Sequence, residues 1–250
     1  MCVGDSEMTC GESRDRSQLN LPGRQLDLVK AVHATGTPVV LVLQIGRGMT
    51  LNWEAENIPA ILNAWFPGER GGQAVAEALF GDLNPAGRLP VTFPKSVGQL
   101  PLYYNILPYG SHQYIDLDTE PLFPFGHGLS YTEFAYSNLK MTPEQTGPSG
   151  EVTVTADVEN VGNRTGDEVV QLYIRDKVSS VIRPLKELAG FERIHLEPGE
   201  KRTVSLSLGA RQLRLLDRNW NWAVEPGEFE VMVGGSSETV LKGGFEVVGA

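Results

Sequence analysis

The chain has 250 residues, 41% of them hydrophobic and 21% charged, with 28 glycines and 16 prolines, which is enough material for one large core or two modest ones. Its net charge of -10, from 31 acids and 21 bases with no Lys/Arg cluster, argues against nucleic acid or anionic lipid as the main partner and favours a neutral substrate. No apolar run approaches the roughly 18 to 20 residues that a membrane helix needs, so no membrane partner is expected, and two cysteines, Cys2 and Cys10, are too few for a disulfide framework or a four-ligand zinc site.

The N-terminus lacks a basic stretch followed by an apolar run, so it does not read as a signal peptide, and it opens as if inside a strand-to-loop junction. From Arg24 the apolar residues Leu26, Val29 and Val32 share one helical face, with Pro22 near the first turn and Gly36 closing the segment, which predicts a helix of about three turns. Val39 to Leu43 is a continuous β-branched-rich run, the pattern of a strand buried on both faces of a parallel sheet. Residues 60–66 read as another strand, and residues 73–80, after a Pro-Gly loop, as another helix. From 85 to 148 the periodicity gives way to proline and glycine punctuation, a long connector whose aromatics, among them Tyr104 and Phe125, favour packing along a domain surface.

Past Gly150 the period becomes two. Val152, Val154, Ala156 and Val158 alternate with polar residues, and similar runs follow at 168–175, 201–208 and 229–233, separated by turns such as Pro198-Gly199-Glu200 and Pro226-Gly227-Glu228. Short strands at this spacing predict a β-sandwich of the immunoglobulin or fibronectin type III kind. The fold class expected is thus α/β plus all-β, with a mostly parallel sheet and flanking helices over 1–140, connector included, and a sandwich over 150–250; the composition shift at 141–150 marks the boundary.

Few features carry chemistry. Gly46-Arg47-Gly48 and Gly68-x-x-Gly71-Gly72 follow predicted strands but lack phosphate-cradle spacing and read as tight turns. His33, His112, His127 and His195 are scattered, none at metal-ligand spacing, and no nucleophile elbow is present. Residues 4–16 gather Asp5, Glu7, Glu12, Asp15, Arg14 and Arg16 on a loop after a short strand, where a carboxyl can either enter a cleft as a general acid or stay a solvated surface charge. Trp220 and Trp222, two residues apart, could form a stacking platform on one strand face, although core or interdomain packing is the stronger expectation.

Gly11-Glu12-Ser13-Arg14-Asp15-Arg16, Leu21-Pro22-Gly23-x-Gln25-x-x-Leu28, Ala64-Trp65-Phe66-Pro67-Gly68-Glu69-x-Gly71-Gly72, Leu79-Phe80-Gly81-Asp82-x-Asn84-Pro85-x-Gly87-x-Leu89-Pro90 and Pro124-Phe125-Gly126-x-Gly128-Leu129-Ser130-Tyr131-Thr132 resemble, in unbroken order, the second domain of family 3 glycoside hydrolases. Val161-Gly162-x-x-x-Gly166-x-Glu168-Val169-Val170-Gln171-Leu172-Tyr173 and Arg183-Pro184-x-Lys186-x-Leu188-x-Gly190-Phe191 are similar to that family's fibronectin type III-like domain. The resemblance implies a barrel, an α/β sandwich and a fibronectin-like domain, and retaining hydrolysis of terminal β-linked sugars by two carboxyls, without a cofactor.

By the family's Gly-Glu-x-x-x-Arg motif, the general acid/base is Glu12, with Glu7 the next choice and Asp15 and Arg16 shaping the loop. The nucleophilic aspartate would belong to a barrel preceding Met1, and the first strands of the α/β domain would precede it too; neither Asp116 nor Asp118 replaces that nucleophile. The chain is therefore expected to be one part of a β-glucosidase-type enzyme, inactive by itself, whose partners are a β-linked oligosaccharide or glycoside and the missing barrel. Apolar edges of a truncated sheet would favour instability or self-association, including a homo-oligomer. The alternative is a non-catalytic scaffold that binds carbohydrate or protein.

Overall fold

The computed structural model describes residues 1–109 and 113–249; His112 lies outside the described residues. The chain divides into two compact units, the first made of Met1–Leu83, Val91–Leu102 and Tyr114–Phe123, the second of Asn84–Pro90, the segment beginning at Tyr103, and the remainder from Pro124.

The first unit is built on a parallel sheet in which β2 (Val40–Gln44) lies between β1 (Cys2–Gly4) and β3 (Ala60–Asn63), with Val3 opposite Leu43 and Leu41 opposite Ile61. Leu41, Val42 and Leu43 are buried in succession, as the unbroken apolar run of a strand covered on both faces requires. Helix α1 (Gln25–His33) buries Val29, while His33 meets the edge of Trp53 and Lys30 lies over the same indole at 5.1 Å. Helix α3 (Gly71–Phe80) starts two residues before its expected first residue and ends on Gly81. Leu28, Leu79 and Phe80 are exposed.

Two features of this unit depart from the sequence pattern. β3 stops at Asn63 rather than continuing to 66, because Trp65 turns into the left-handed region (φ 52°) and packs edge-on against Phe93. Helix α2 (Asn52–Asn57) was not expected: six residues are too few to show a period, and its buried residue is an acid, Glu54, whose carboxyl is pushed up by that burial.

In the second unit, a three-stranded sheet of order β4-β6-β9 faces a five-stranded sheet of order β5-β13-β12-β7-β8. The strands are β4 (Phe134–Thr142), β5 (Gln145–Thr146), β6 (Val152–Asn160), β7 (Gly166–Asp176), β8 (Glu187–Leu196), β9 (Lys201–Leu208), β12 (Gly227–Gly234) and β13 (Val240–Val247). A four-residue helix α4 (Ala210–Leu213) precedes a small hairpin of β10 (Leu215–Leu216) and β11 (Trp222–Ala223). Alternate residues Val152, Val154, Ala156 and Val158 of β6 enter a core with Val170, Leu172 and Ile174 of β7 and Phe229, Val231 and Val233 of β12.

The boundary expected at 141–150 falls inside this sandwich, since β4 pairs antiparallel with β6. The strand hides its alternation behind a register shift between Ser137 and Lys140, where Asn138 sits at φ 54°. Connector residues also belong here. On the outer side of β7, Tyr173 is buried by Tyr104 and Phe125, whose rings stack 4.2 Å apart, and Gln171 donates to the carbonyls of Gly126 and Gly235. Trp220 and Trp222 correct the expectation of core packing: they are 81% and 61% exposed. Trp220 lies in a turn at φ 63° rather than in a strand, so spacing of two does not set its face, and Arg214 stacks on Trp222 at 4.3 Å.

Asn160 closes one corner of the sandwich. Fully buried, it accepts from Thr132 Oγ1 (2.6 Å) and donates to the carbonyls of Arg164 (2.7 Å) and Leu196 (3.0 Å). Asn160→Ala strands those groups, so unfolding followed by circular dichroism is expected to show a loss of about 3 kcal/mol.

His195 on β8 stands opposite Asp167 on β7 and takes a 2.5 Å hydrogen bond between Nδ1 and Oδ1, with Arg193 on the same carboxylate and Glu197 nearby. The Asp167 hydrogen bond raises the imidazole's pKa against the opposing effect of desolvation. A histidine raised on folding stabilises fully below its unfolded pKa of about 6.5 and loses that contribution as pH rises through the folded value. Denaturation series of wild type and His195→Gln are therefore expected to differ in the acid range and to converge as pH rises; a gap independent of pH contradicts this.

Candidate active site

The three parallel strands all end on one edge of the sheet, the edge at which open α/β sheets place ligands. Gly4 ends β1 at φ 146°, with its N–H donating to Gln25 Oε1 (2.7 Å) and its carbonyl accepting from Gln25 Nε2 (2.9 Å). A Cβ here would come within 2.0 Å of the Gln44 carbonyl oxygen, so only glycine permits this close approach of the strands.

Asp5 follows, its side chain fully buried. Its carboxylate accepts from Thr9 Oγ1 (3.0 Å) and, across the strand ends, from the Gly46 N–H (3.3 Å), and lies 3.8 Å from Arg16 Nη1. The N–H groups of Thr9 and Cys10 both donate to Ser6 O, so residues 5–10 form a tight turn around a buried acid. Gly46 fits beneath it: a Cβ there would come within 2.3 Å of Cys10 Sγ.

A second turn carries Glu12. Arg14 N–H donates to Gly11 O (3.2 Å), and Ser13 adopts φ 58°. Glu12 is exposed, and among the described residues no hydrogen bond or ion pair engages its carboxylate. From the loop after β2, Arg47 Nη2 donates to the carbonyls of Thr9 (3.1 Å) and Arg14 (3.1 Å), one on each side of that turn. Arg16 donates to Asn20 O (2.8 Å), which fixes where the loop returns.

The residues expected from sequence thus divide. Glu12 stands free at the turn, Glu7 and Asp15 are exposed on the same loop, and Arg16 is tied to Asp5 and Asn20. Asp118 is taken by Lys95, whose ammonium bonds both its oxygens (2.7 and 2.9 Å) and holds the carboxyl below its usual range. Asp5 and Arg47 hold the loop through contacts that the sequence pattern does not indicate: Asp5 directly follows β1, and Arg47 lies three residues past the end of β2. Among the described residues no group of three or more His, Cys, Asp or Glu gathers to hold a metal ion, and no helix is long and apolar enough to cross a membrane.

A perturbed carboxyl elsewhere is structural. Glu168 of the sandwich is pushed up by burial, against the lowering effects of Arg88 and Tyr136. Its oxygens are occupied by Arg88 Nη2 (2.5 Å) and Tyr136 Oη (2.7 Å), and both charged side chains are under 10% exposed. A closed pair of this kind has no oxygen turned to solvent for a substrate.

The sequence matches the glycosyl hydrolase family 3 C-terminal domain over residues 1–131 and a fibronectin type III-like domain over 168–237. A β-xylosidase of Formosa agariphila is 49% identical over 95% of the chain, and a periplasmic β-glucosidase of Salmonella typhimurium 42% over 98%; in each case the chain spans 34% of the relative's length. A β-glucosidase structure from Erythrobacter marinus superposes with a TM-score of 0.95 at 44% identity, covering 99% of this chain and 34% of that one. A β-glucosidase from Listeria innocua in complex with glucose superposes at 0.94 and 35% identity, covering 99% and 36%. With both units matched in order and the α/β match extending over more than half its length, the chain belongs to glycosyl hydrolase family 3 and spans about a third of the relatives it matches.

Proposed function

We propose that this chain is the part of a retaining β-glycosidase that supplies the general acid/base, Glu12, and that the nucleophilic carboxylate comes from the two-thirds of the relatives' length outside this match. In the first step the Glu12 carboxyl gives its proton to the glycosidic oxygen as the bond to the anomeric carbon breaks and the partner carboxylate forms a glycosyl ester. In the second, the Glu12 carboxylate takes a proton from water, which attacks the anomeric carbon and frees the sugar with its configuration retained. The substrate class is a β-linked oligosaccharide or glycoside with a terminal non-reducing sugar, and no cofactor enters.

The observation that carries this reading is the unengaged Glu12 carboxylate on a turn held from both sides at the strand ends. A carboxyl so placed can approach a second one at the roughly 5 to 5.5 Å separation that retention needs. Alone it cannot complete either step. The test is to exchange this chain for the matching third of the Erythrobacter marinus β-glucosidase. The fusion is expected to cleave an aryl β-glucoside while the isolated chain does not; a folded, inactive fusion, or turnover by the isolated chain, would contradict the proposal.

A further inference from the structure

The Gly46-Arg47-Gly48 turn has more than a turn's work. Gly46 is fixed to the first loop by its N–H bond to buried Asp5, and Ile45 before it is fully buried, so the backbone that carries Arg47 is anchored. From there one guanidinium nitrogen, Nη2, bonds the carbonyls of Thr9 and Arg14, residues 38 and 33 positions away in the chain. These carbonyls flank the four residues of which Glu12 is one. Arg47 Nε is buried and without a hydrogen-bond partner. An arginine placed only for solubility would turn that nitrogen to water, so the fork is held where the loop needs it at the cost of one unsatisfied donor.

We infer that Arg47 is a positioning residue that sets where the Glu12 carboxyl stands, by pinning both ends of its turn with charge-assisted hydrogen bonds from the neighbouring loop. This rests on the reading of Glu12 as the acid/base. Without the clamp the turn keeps its Arg14-to-Gly11 bond but loses its fixed attachment to β2, and the proton donor is free to move by an ångström or more. A displacement of that size costs on the order of 100-fold in rate.

Two measurements test it. On the full chain as it stands, hydrogen exchange of the Cys10 and Arg14 amides is expected to speed up in Arg47→Met and less so in Arg47→Lys, which keeps the charge but not the fork. Unchanged exchange in Arg47→Met overturns the inference. In the active fusion, Arg47→Met is expected to lower kcat on a phenyl β-glucoside about 100-fold, yet to cost nothing further in a Glu12→Ala background. An equal loss in both backgrounds overturns the inference while leaving Glu12 in its role. No loss on Glu12→Ala itself overturns the reading on which it rests.

Discussion

Glu12→Ala in the assembled enzyme is expected to lower kcat/KM on a phenyl β-glucoside by about 100- to 10,000-fold, the range over which a positioned proton donor accelerates departure of a poor leaving group. With a dinitrophenyl glycoside, whose leaving group needs no proton, the loss in the first step is expected to be small. Glu7→Ala and Asp15→Ala, on the same exposed loop, are expected to leave both substrates near wild-type rates. Steady-state rates across a leaving-group series distinguish these outcomes. A uniform loss with every leaving group would mean that Glu12 shapes the site instead of donating a proton, and a leaving-group-dependent loss on Glu7→Ala would move the acid five residues upstream.

Arg88→Met is expected to destabilise the sandwich by about 3 to 5 kcal/mol, because it leaves the Glu168 carboxylate buried with Tyr136 as its remaining neutral partner. Burial already raises the Glu168 carboxyl, and removing the guanidinium that opposes this raises it further. A carboxyl raised on folding opposes the folded state above its unfolded pKa of about 4.3 and ceases to do so once protonated. The deficit of Arg88→Met is therefore expected to shrink on acidification. Pairing it with Glu168→Gln, which removes the charge but keeps an acceptor for Tyr136, is expected to recover most of the stability near neutral pH. Denaturant midpoints of the two variants read this directly, and a double variant no better than Arg88→Met would contradict the account.

What the sequence discloses depends on the range over which each feature is encoded. β2 and β6 are legible because continuous and alternating apolar patterns are written residue by residue. β4 is masked by its register shift, α2 by its length and buried acid, and the connector by the long-range pairing of Tyr104, Phe125 and Gln171 with the sandwich. Glu12 stands out through the motif that contains it, not through any local physical pattern, since five other charged residues share the loop. Asp5 and Arg47 act through bonds spanning more than 30 positions, a relation that no window of sequence contains and that appears once the strand ends meet.

The most direct test of Glu12 as the acid/base is chemical rescue of Glu12→Ala in the fusion by sodium azide, with a dinitrophenyl β-glucoside as donor. The glycosyl-enzyme then accumulates for want of a base, and azide, which needs none, attacks it from the face that water would use. The account predicts faster turnover with added azide and a glucosyl azide product of β configuration by NMR; an azide-independent rate with glucose as the one product would contradict it.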